Sequence, residues 1–172
     1  GHIFVGSNDH NLYALNPDGA NAPFLTLMWR YTTGAQIESS VVMDASGNLY
    51  AGADDNTLYA FTPAGTLRWS FTTAGSVIST PVVGNDGNIY FGSSDNNIYC
   101  LNASGNVLWQ YTTAGPVVSS PIILSDGSLI VGSGDGKIYA LSSTATGPQG
   151  SDWPEYRHDN ARNGAKSALV VN

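Results

Sequence analysis

Residues 87–123, GNIYFGSSDNNIYCLNASGNVLWQYTTAGPVVSSPII, restate with few changes residues 47–83, GNLYAGADDNTLYAFTPAGTLRWSFTTAGSVISTPVV. The offset is forty residues; Trp29, Trp69 and Trp109 keep it, as do Gly52, Gly92 and Gly132. Self-similarity at this period signals a propeller or a solenoid, in which one supersecondary unit is repeated and stacked. The first copy carries the same landmarks (Gly6, Asp9, Tyr13, Trp29) with six extra residues around Asn21 to Thr26, between the tyrosine and the tryptophan. Four copies are therefore present, at about residues 1–46, 47–86, 87–126 and 127–150, followed by a closure segment at 151–172.

Within each copy, β-rich runs of four to seven residues alternate with Gly, Asp and Asn turn signals, and no stretch sustains a helical period. The third copy divides into GNIYFGS, NNIYCLN, NVLWQYT and VVSSPIIL, joined at SDN, ASG, TAG and, into the next copy, SDG. Four strands in this length is the size of a propeller blade. VVSSPIIL and SLIVGS are apolar nearly throughout instead of alternating, the pattern of strands covered on both faces. Blades stacked face to face around an axis meet that need.

Composition agrees and excludes several function classes. The chain has 172 residues, 20 glycines and 11% charged side chains, which describes one β-rich domain with many tight turns. Residues 1–150 carry three basic and ten acidic side chains, the wrong sign for reading a nucleic-acid backbone. No apolar run approaches the roughly 18 residues of a spanning helix, so no membrane insertion is expected. No leader is visible, but a sequence that starts inside a repeat says little about localisation on that account. Cys100 stands where the other copies have Ala14, Ala60 and Ala140, and reads as a small core residue, not a nucleophile. Asp18, Asp86, Asp126 and Asp135 each precede a glycine, but lack the D-x-D-x-D-G alternation and distal Glu of a calcium loop. They read as hairpin turns, with no metal site.

The stretches YAFTPAGTLRW and YCLNASGNVLW, in which Gly65 and Gly105 precede Trp69 and Trp109 by four, and the following TTAGSVISTPVV and TTAGPVVSSPII, resemble the pyrroloquinoline-quinone-type propeller repeat. That family includes quinoprotein alcohol dehydrogenases and a non-enzymatic outer-membrane assembly lipoprotein, and the resemblance covers about residues 1–141. It implies an all-β propeller of four-stranded antiparallel blades, with Trp29, Trp69 and Trp109 docking between neighbours. Rings of this family usually hold seven or eight blades, so four make half of an eight-bladed ring or a fragment of a larger propeller; a self-closed four-blade ring is the alternative.

The chain ends carry a second pattern. GHIFVGS aligns with GNLYAGA, GNIYFGS and GSLIVGS, so the sequence opens on the first of the four strands without the one that should precede it. SALVVN aligns with STPVVG and SSPIIL, the missing strand, and is expected to complete a first blade, its own or that of a second copy in a homodimer. Closure of this kind removes exposed sheet edges. SDWPEYRHDNARNG between them resembles a segment seen at ring closures of such repeats; Trp153 would be a fourth docking tryptophan, and Arg157 and Asp159 a clamp beside His158.

A quinoprotein dehydrogenase, as the resemblance implies it, holds its quinone in the central funnel with calcium, an aspartate base and commonly two adjacent cysteines. This chain has one cysteine, and on the innermost strands only Glu38 is charged. His2, His10 and His158 lie at turns or ends without a motif pairing them to Ser or Cys. Pyrroloquinoline quinone with calcium therefore belongs to the alternative reading. The favoured one is a non-enzymatic binding or assembly module acting outside the cytoplasm, without a cofactor, because propeller rims present many loops on a rigid frame. One rim combines the TTAG loops with the turns NDHN, DDNT, SDNN and GDGK, the least uniform part of the repeat. His10, Asp54, Asn96, Asn97 and Lys137 differ there and, with Glu38, are the candidate contacts for a protein or glycan partner. A purely architectural repeat domain of a surface protein is the third reading.

Overall fold

The computed structural model describes residues 1–17, 25–142 and 168–171. These form four antiparallel sheets and, among the described residues, no helix. The first sheet holds β1 (Ile3–Gly6), β2 (Asn11–Asn16) and β3 (Thr26–Thr32), in that order. The second runs β4 (Val42–Met43), β5 (Leu49–Gly52), β6 (Thr57–Phe61), β7 (Leu67–Thr72). The third runs β8 (Val82–Val83), β9 (Ile89–Gly92), β10 (Asn97–Leu101), β11 (Val107–Thr112), and the fourth β12 (Ile122–Ile123), β13 (Ser128–Gly132), β14 (Ile138–Ser142), β15 (Ala168–Val171). Each sheet is a meander, and β4, β8 and β12 come from the end of the preceding copy, so every four-stranded sheet begins before its sequence repeat does. The first sheet, as the alignment of GHIFVGS implies, has three strands.

Two strands differ from their sequence reading. The run VVSSPIIL contributes only Ile122 and Ile123 to a ladder. Pro121 has no N–H to give, and Ser119 takes over the pairing by side chain: its Oγ donates to the Gly132 carbonyl at 2.8 Å and accepts from the Gly132 amide at 2.9 Å. The same substitution of a hydroxyl for a ladder bond recurs at Ser39 with Gly52 and at Ser79 with Gly92. The closing strand, expected to complete a first blade, lies instead on β14 of its own fourth sheet, pairing Ile138 with Val171 and Leu141 with Ala168. The physical reason is the edge of β14, whose backbone groups a further strand can satisfy, and ALVV with its two valines supplies that strand. Leu169 thereby stands opposite Ala140, the register position that Trp109 holds opposite Cys100. Trp153, Arg157, His158 and Asp159 lie outside the described residues.

The core is three clusters, each shared by two neighbouring sheets. Leu12 and Ile37 meet Leu49, Ala51 and Phe61; Tyr50, Leu58 and Val77 meet Ile89, Phe91 and Leu101; Tyr90, Ile98, Cys100 and Val117 meet Leu129, Val131 and Leu141. In β5 and β9 all four residues are buried, because both faces of those sheets are covered. In each complete outer strand the register slips one residue beside the tryptophan, between Ala14 and Leu15, Ala60 and Phe61, and Cys100 and Leu101. Such a bulge adds twist and re-aims a side chain. It turns the indole onto the next sheet: Trp29 Nε1 donates to the Pro63 carbonyl and Trp69 Nε1 to the Ala103 carbonyl, both at 3.0 Å. The receiving turns hold Gly65 and Gly105 at φ +83°, and a Cβ there would sit 2.5 Å and 2.7 Å from the ring carbons. Glycine serves both the left-handed turn and the flat seat for the indole.

Candidate binding rim

One rim is built from the β1–β2, β5–β6, β9–β10 and β13–β14 hairpins and from the T-T-x-G loops leaving β3, β7 and β11. The loop is gripped on its own sheet by a threonine. Thr73 N and Oγ1 both donate to the Asn56 carbonyl, at 2.8 Å and 2.9 Å, and Thr33 and Thr113 treat His10 and Asn96 alike. For their carbonyls to be so presented, His10, Asn56 and Asn96 adopt φ of 69°, 68° and 72°, and Gly136 occupies the fourth equivalent place. Asn and His tolerate this left-handed conformation better than branched residues do.

The next sheet grips the same loop by a carboxylate. Asp55 Oδ2 accepts from the Gly34 amide at 2.7 Å, Asp95 Oδ2 from Ala74 at 3.0 Å, and Asp135 Oδ2 from Ala114 at 3.2 Å. The same oxygens accept the hydroxyls of Tyr59, Tyr99 and Tyr139, four residues on, while the other carboxylate oxygen caps the hairpin through the amides of Thr57, Asn97 and Lys137. Asp9 makes the tyrosine bond to Tyr13, at 2.6 Å, and the amide bond to Asn11, with no loop amide among the described residues. Asp55, Asp95 and Asp135 thus each staple two sheets with charge-assisted hydrogen bonds. The signal was present in the sequence as D-x-x-x-Y at 9, 55, 95 and 135, yet local spacing does not say which sheet the second oxygen reaches.

Protonation follows from these bonds. The Tyr13 hydroxyl lowers the Asp9 carboxyl to about 2. Burial works to raise Asp95, but the Tyr99 hydroxyl and the Ala74 and Asn97 amides outweigh it and hold the group below the usual range. Asp135 is lowered chiefly by Tyr139. On the opposite rim burial raises Asp44, and its bonds to Asn48, Tyr50 and Ser46 more than reverse that. The partner phenols move the other way: burial, then the Asp55 bond, pushes Tyr59 up to about 12, and the Asp135 bond with burial takes Tyr139 to about 12. The lowered carboxyls favour the fold above their unfolded values near 4, and that contribution disappears as pH falls through the lower folded values. The raised phenols favour it below about 10, and their contribution disappears as pH climbs towards 12. Thermal unfolding across pH is therefore expected to show a plateau between about 4 and 10 that falls at both ends; a steady slope through neutrality would contradict the assignment.

Removing one staple has a predictable cost. Asp95→Ala strands the Ala74 and Asn97 amides and the Tyr99 hydroxyl at a partly exposed site, and is expected to lose about 2 kcal/mol in urea unfolding, with Tyr99→Phe losing about 1. Asp9→Ala, with no loop amide on that carboxylate among the described residues, is expected to lose much less.

His10, Asp54, Asn96, Asn97 and Lys137 lie on or beside the hairpins of this rim, and no hydrogen bond among the described residues joins any two of the candidate contacts. Asn97 is tied down, its amide donating to Asp95 and its Oδ1 accepting from Thr112 at 2.6 Å. Asn96 serves the threonine grip through its carbonyl, as does His10, whose side chain is exposed. Lys137 takes the position of Asn97 and bonds through its backbone to Asp135. Glu38 is exposed on the loop between the first two sheets. Asp54 differs from all of these: its amide donates to Gln36 and its carbonyl accepts from Ser76, while its carboxylate Oδ1 is buried and accepts no hydrogen bond among the described residues.

A calcium-held quinone fits these donors poorly. The aspartates at 44, 55, 95 and 135 have their oxygens engaged by amides and phenols, and among the described residues no three of His, Cys, Asp and Glu gather as metal ligands. No described helix is long and apolar enough to cross a membrane.

The model of the family described as outer membrane protein assembly factor BamB matches residues 8–149. The crystal structure of BamB from Moraxella catarrhalis superposes with a TM-score of 0.67 at 23% identity, over 85% of this chain and 43% of that one. The WD40 beta propeller domain of Doa1 gives a TM-score of 0.67 at 18% identity, over 82% of this chain and 47% of that one. This chain spans less than half the length of either, and at these identities the likeness is one of fold. No curated protein matches it.

Proposed function

Because the chain belongs to the family of the outer membrane protein assembly factor BamB, we propose that it is a non-enzymatic propeller module that binds a protein partner through its rim, outside the cytoplasm. The observation that carries this reading is the Asp54 carboxylate. Three rim aspartates are engaged in joining sheets, whereas Asp54 keeps a buried oxygen with no donor among the described residues. A buried acceptor in that state is costly until a donor reaches it. Backbone amides or basic side chains of a protein supply such donors, and the neighbouring rim positions His10, Glu38 and Lys137 vary the surface around it. A glycan hydroxyl is the second source of the same chemistry, and pairing of two copies is one form that assembly can take.

The test is capture from a bacterial envelope extract by immobilised protein. Wild type is expected to retain a protein that Asp54→Asn and His10→Ala lose, while Asn85→Ala on the opposite rim retains it. Equal retention by all of them would remove the rim from the account. Release by free sugars would make the ligand a glycan, and quinone-dependent oxidation by protein loaded with the quinone and calcium would overturn the non-enzymatic reading.

A further inference from the structure

The backbone of Asp54 is pinned between two loops. Its amide donates to the Gln36 carbonyl at 2.9 Å, in the loop leaving the first sheet, and its carbonyl accepts the Ser76 hydroxyl at 3.2 Å, in the loop leaving the second. The neighbouring Ile37 and Val77 amides are tied in turn to the Ser7 and Ala53 carbonyls. The carboxylate therefore cannot escape by a loop shift, and its Oδ1 keeps less than 1 Å² of accessible surface with no hydrogen bond among the described residues. The repeat shows that the fold does not require this charge. Ser94 and Gly134 take the same place in the next two sheets and make the same backbone bond, to the Ser76 and Pro116 carbonyls. Glu38 breaks the repeat in the same way, with Ile78 and Val118 at its place in the following copies. It lies two residues beyond Gln36, a reach of about 7 Å of chain. Both departures thus bring a carboxylate to the junction of the first and second sheets. A buried acceptor that is costly while unpaired, at a position where serine and glycine serve the fold, is a group kept for binding.

We propose that the donor completing Asp54 is an arginine of the protein partner, with the exposed Glu38 as its second acceptor. This rests on the rim reading and narrows the partner to one with a basic contact. Two carboxylates on adjoining segments suit a planar guanidinium, whose forked N–H groups bond one carboxylate and reach a further oxygen, better than a compact ammonium. A divalent cation needs more oxygens than two side chains offer, and among the described residues no three potential metal ligands gather. The net charge of −7 attracts a basic surface from a distance.

Amide NMR spectra titrated with N-acetyl-arginine amide, and with its neutral citrulline counterpart, test the proposal. The arginine probe is expected to shift the Gln36, Asp54 and Ser76 amides, with citrulline binding about tenfold more weakly. Asp54→Asn is expected to abolish the shifts and Glu38→Gln to reduce them. Asp54→Ser, which copies the third sheet, is expected to melt no lower than wild type. In the envelope capture the arginine probe is expected to release the protein whose retention depends on Asp54. Capture that depends on Asp54 but ignores the arginine probe would overturn this inference and leave the rim reading standing. Absent shifts, equal binding of the two probes, or a loss of stability in Asp54→Ser would overturn it as well.

Discussion

Trp69→Ala is expected to destabilise the protein by about 3 kcal/mol and to divide its unfolding into two steps. The indole rests on Gly105, lies 5.8 Å from the Tyr50 ring and donates to the Ala103 carbonyl, so its removal deletes packing and a hydrogen bond at the one junction between the second and third sheets. In a stack of repeats, cooperativity depends on such nearest-neighbour contacts, and weakening one lets the two halves unfold separately. Trp69→Phe keeps most of the ring and loses the indole bond, and about 1 kcal/mol is expected. Urea titration followed by both circular dichroism and fluorescence from the remaining tryptophans separates these outcomes; a single transition with unchanged midpoint would show that the junction does not depend on the indole.

Gly92→Ala is expected to cost about 3 kcal/mol, although alanine in place of a strand glycine ordinarily helps. A Cβ at Gly92 would lie 2.3 Å from Val117 Cγ1 and 2.5 Å from the Val117 carbonyl oxygen. The valine side chain can turn, but the carbonyl belongs to the backbone of the loop, and Gly92 is fixed in place by Ser79 on both its amide and its carbonyl. Relief therefore requires the sheet and the loop to part. Gly132, the same repeat position in the fourth sheet, is the control: nothing described there lies nearer to a new Cβ than Ser119 Oγ at 3.3 Å. Gly132→Ala is expected to stay close to wild type in the same thermal melts, and equal losses at both positions would place the cause in the glycine itself, not in the inter-sheet contact.

The parts of this fold that were legible in the sequence are those repeated within one copy. Trp69 and Gly105 differ by thirty-six residues, yet their forty-residue images at Trp29 and Gly65 announce a recurring pair. The aspartate staples were legible only as turns. Asp95 and Tyr99 share a hairpin, but the Ala74 amide reaches Asp95 only after two sheets have stacked, and stacking is not written in local spacing. For the same reason Asn96 and Asn97 looked like free rim groups, whereas one adopts a left-handed turn and the other is held between Asp95 and Thr112. The alignment of Gly136 with His10, Asn56 and Asn96 was the available clue to that turn. The closing strand was misplaced because ALVV fits an inner and an outer position equally well; which edge is open decides between them. Asp54 stood out for differing from Ser94 and Gly134, but its enclosed oxygen is a property of the packed rim.

The account rests on rim carboxylates that join sheets and so leave the variable positions to a partner. Amide hydrogen exchange at Gly34, Ala74 and Ala114 measures this most directly, because these residues are exposed and their amides are bonded to aspartates of the following sheet. The predicted result is protection close to that of the strand amides, lost at Ala74 alone in Asp95→Ala. Exchange at the rate of open loops in the wild-type protein would contradict it, and would return the aspartates to the rim as groups available for binding.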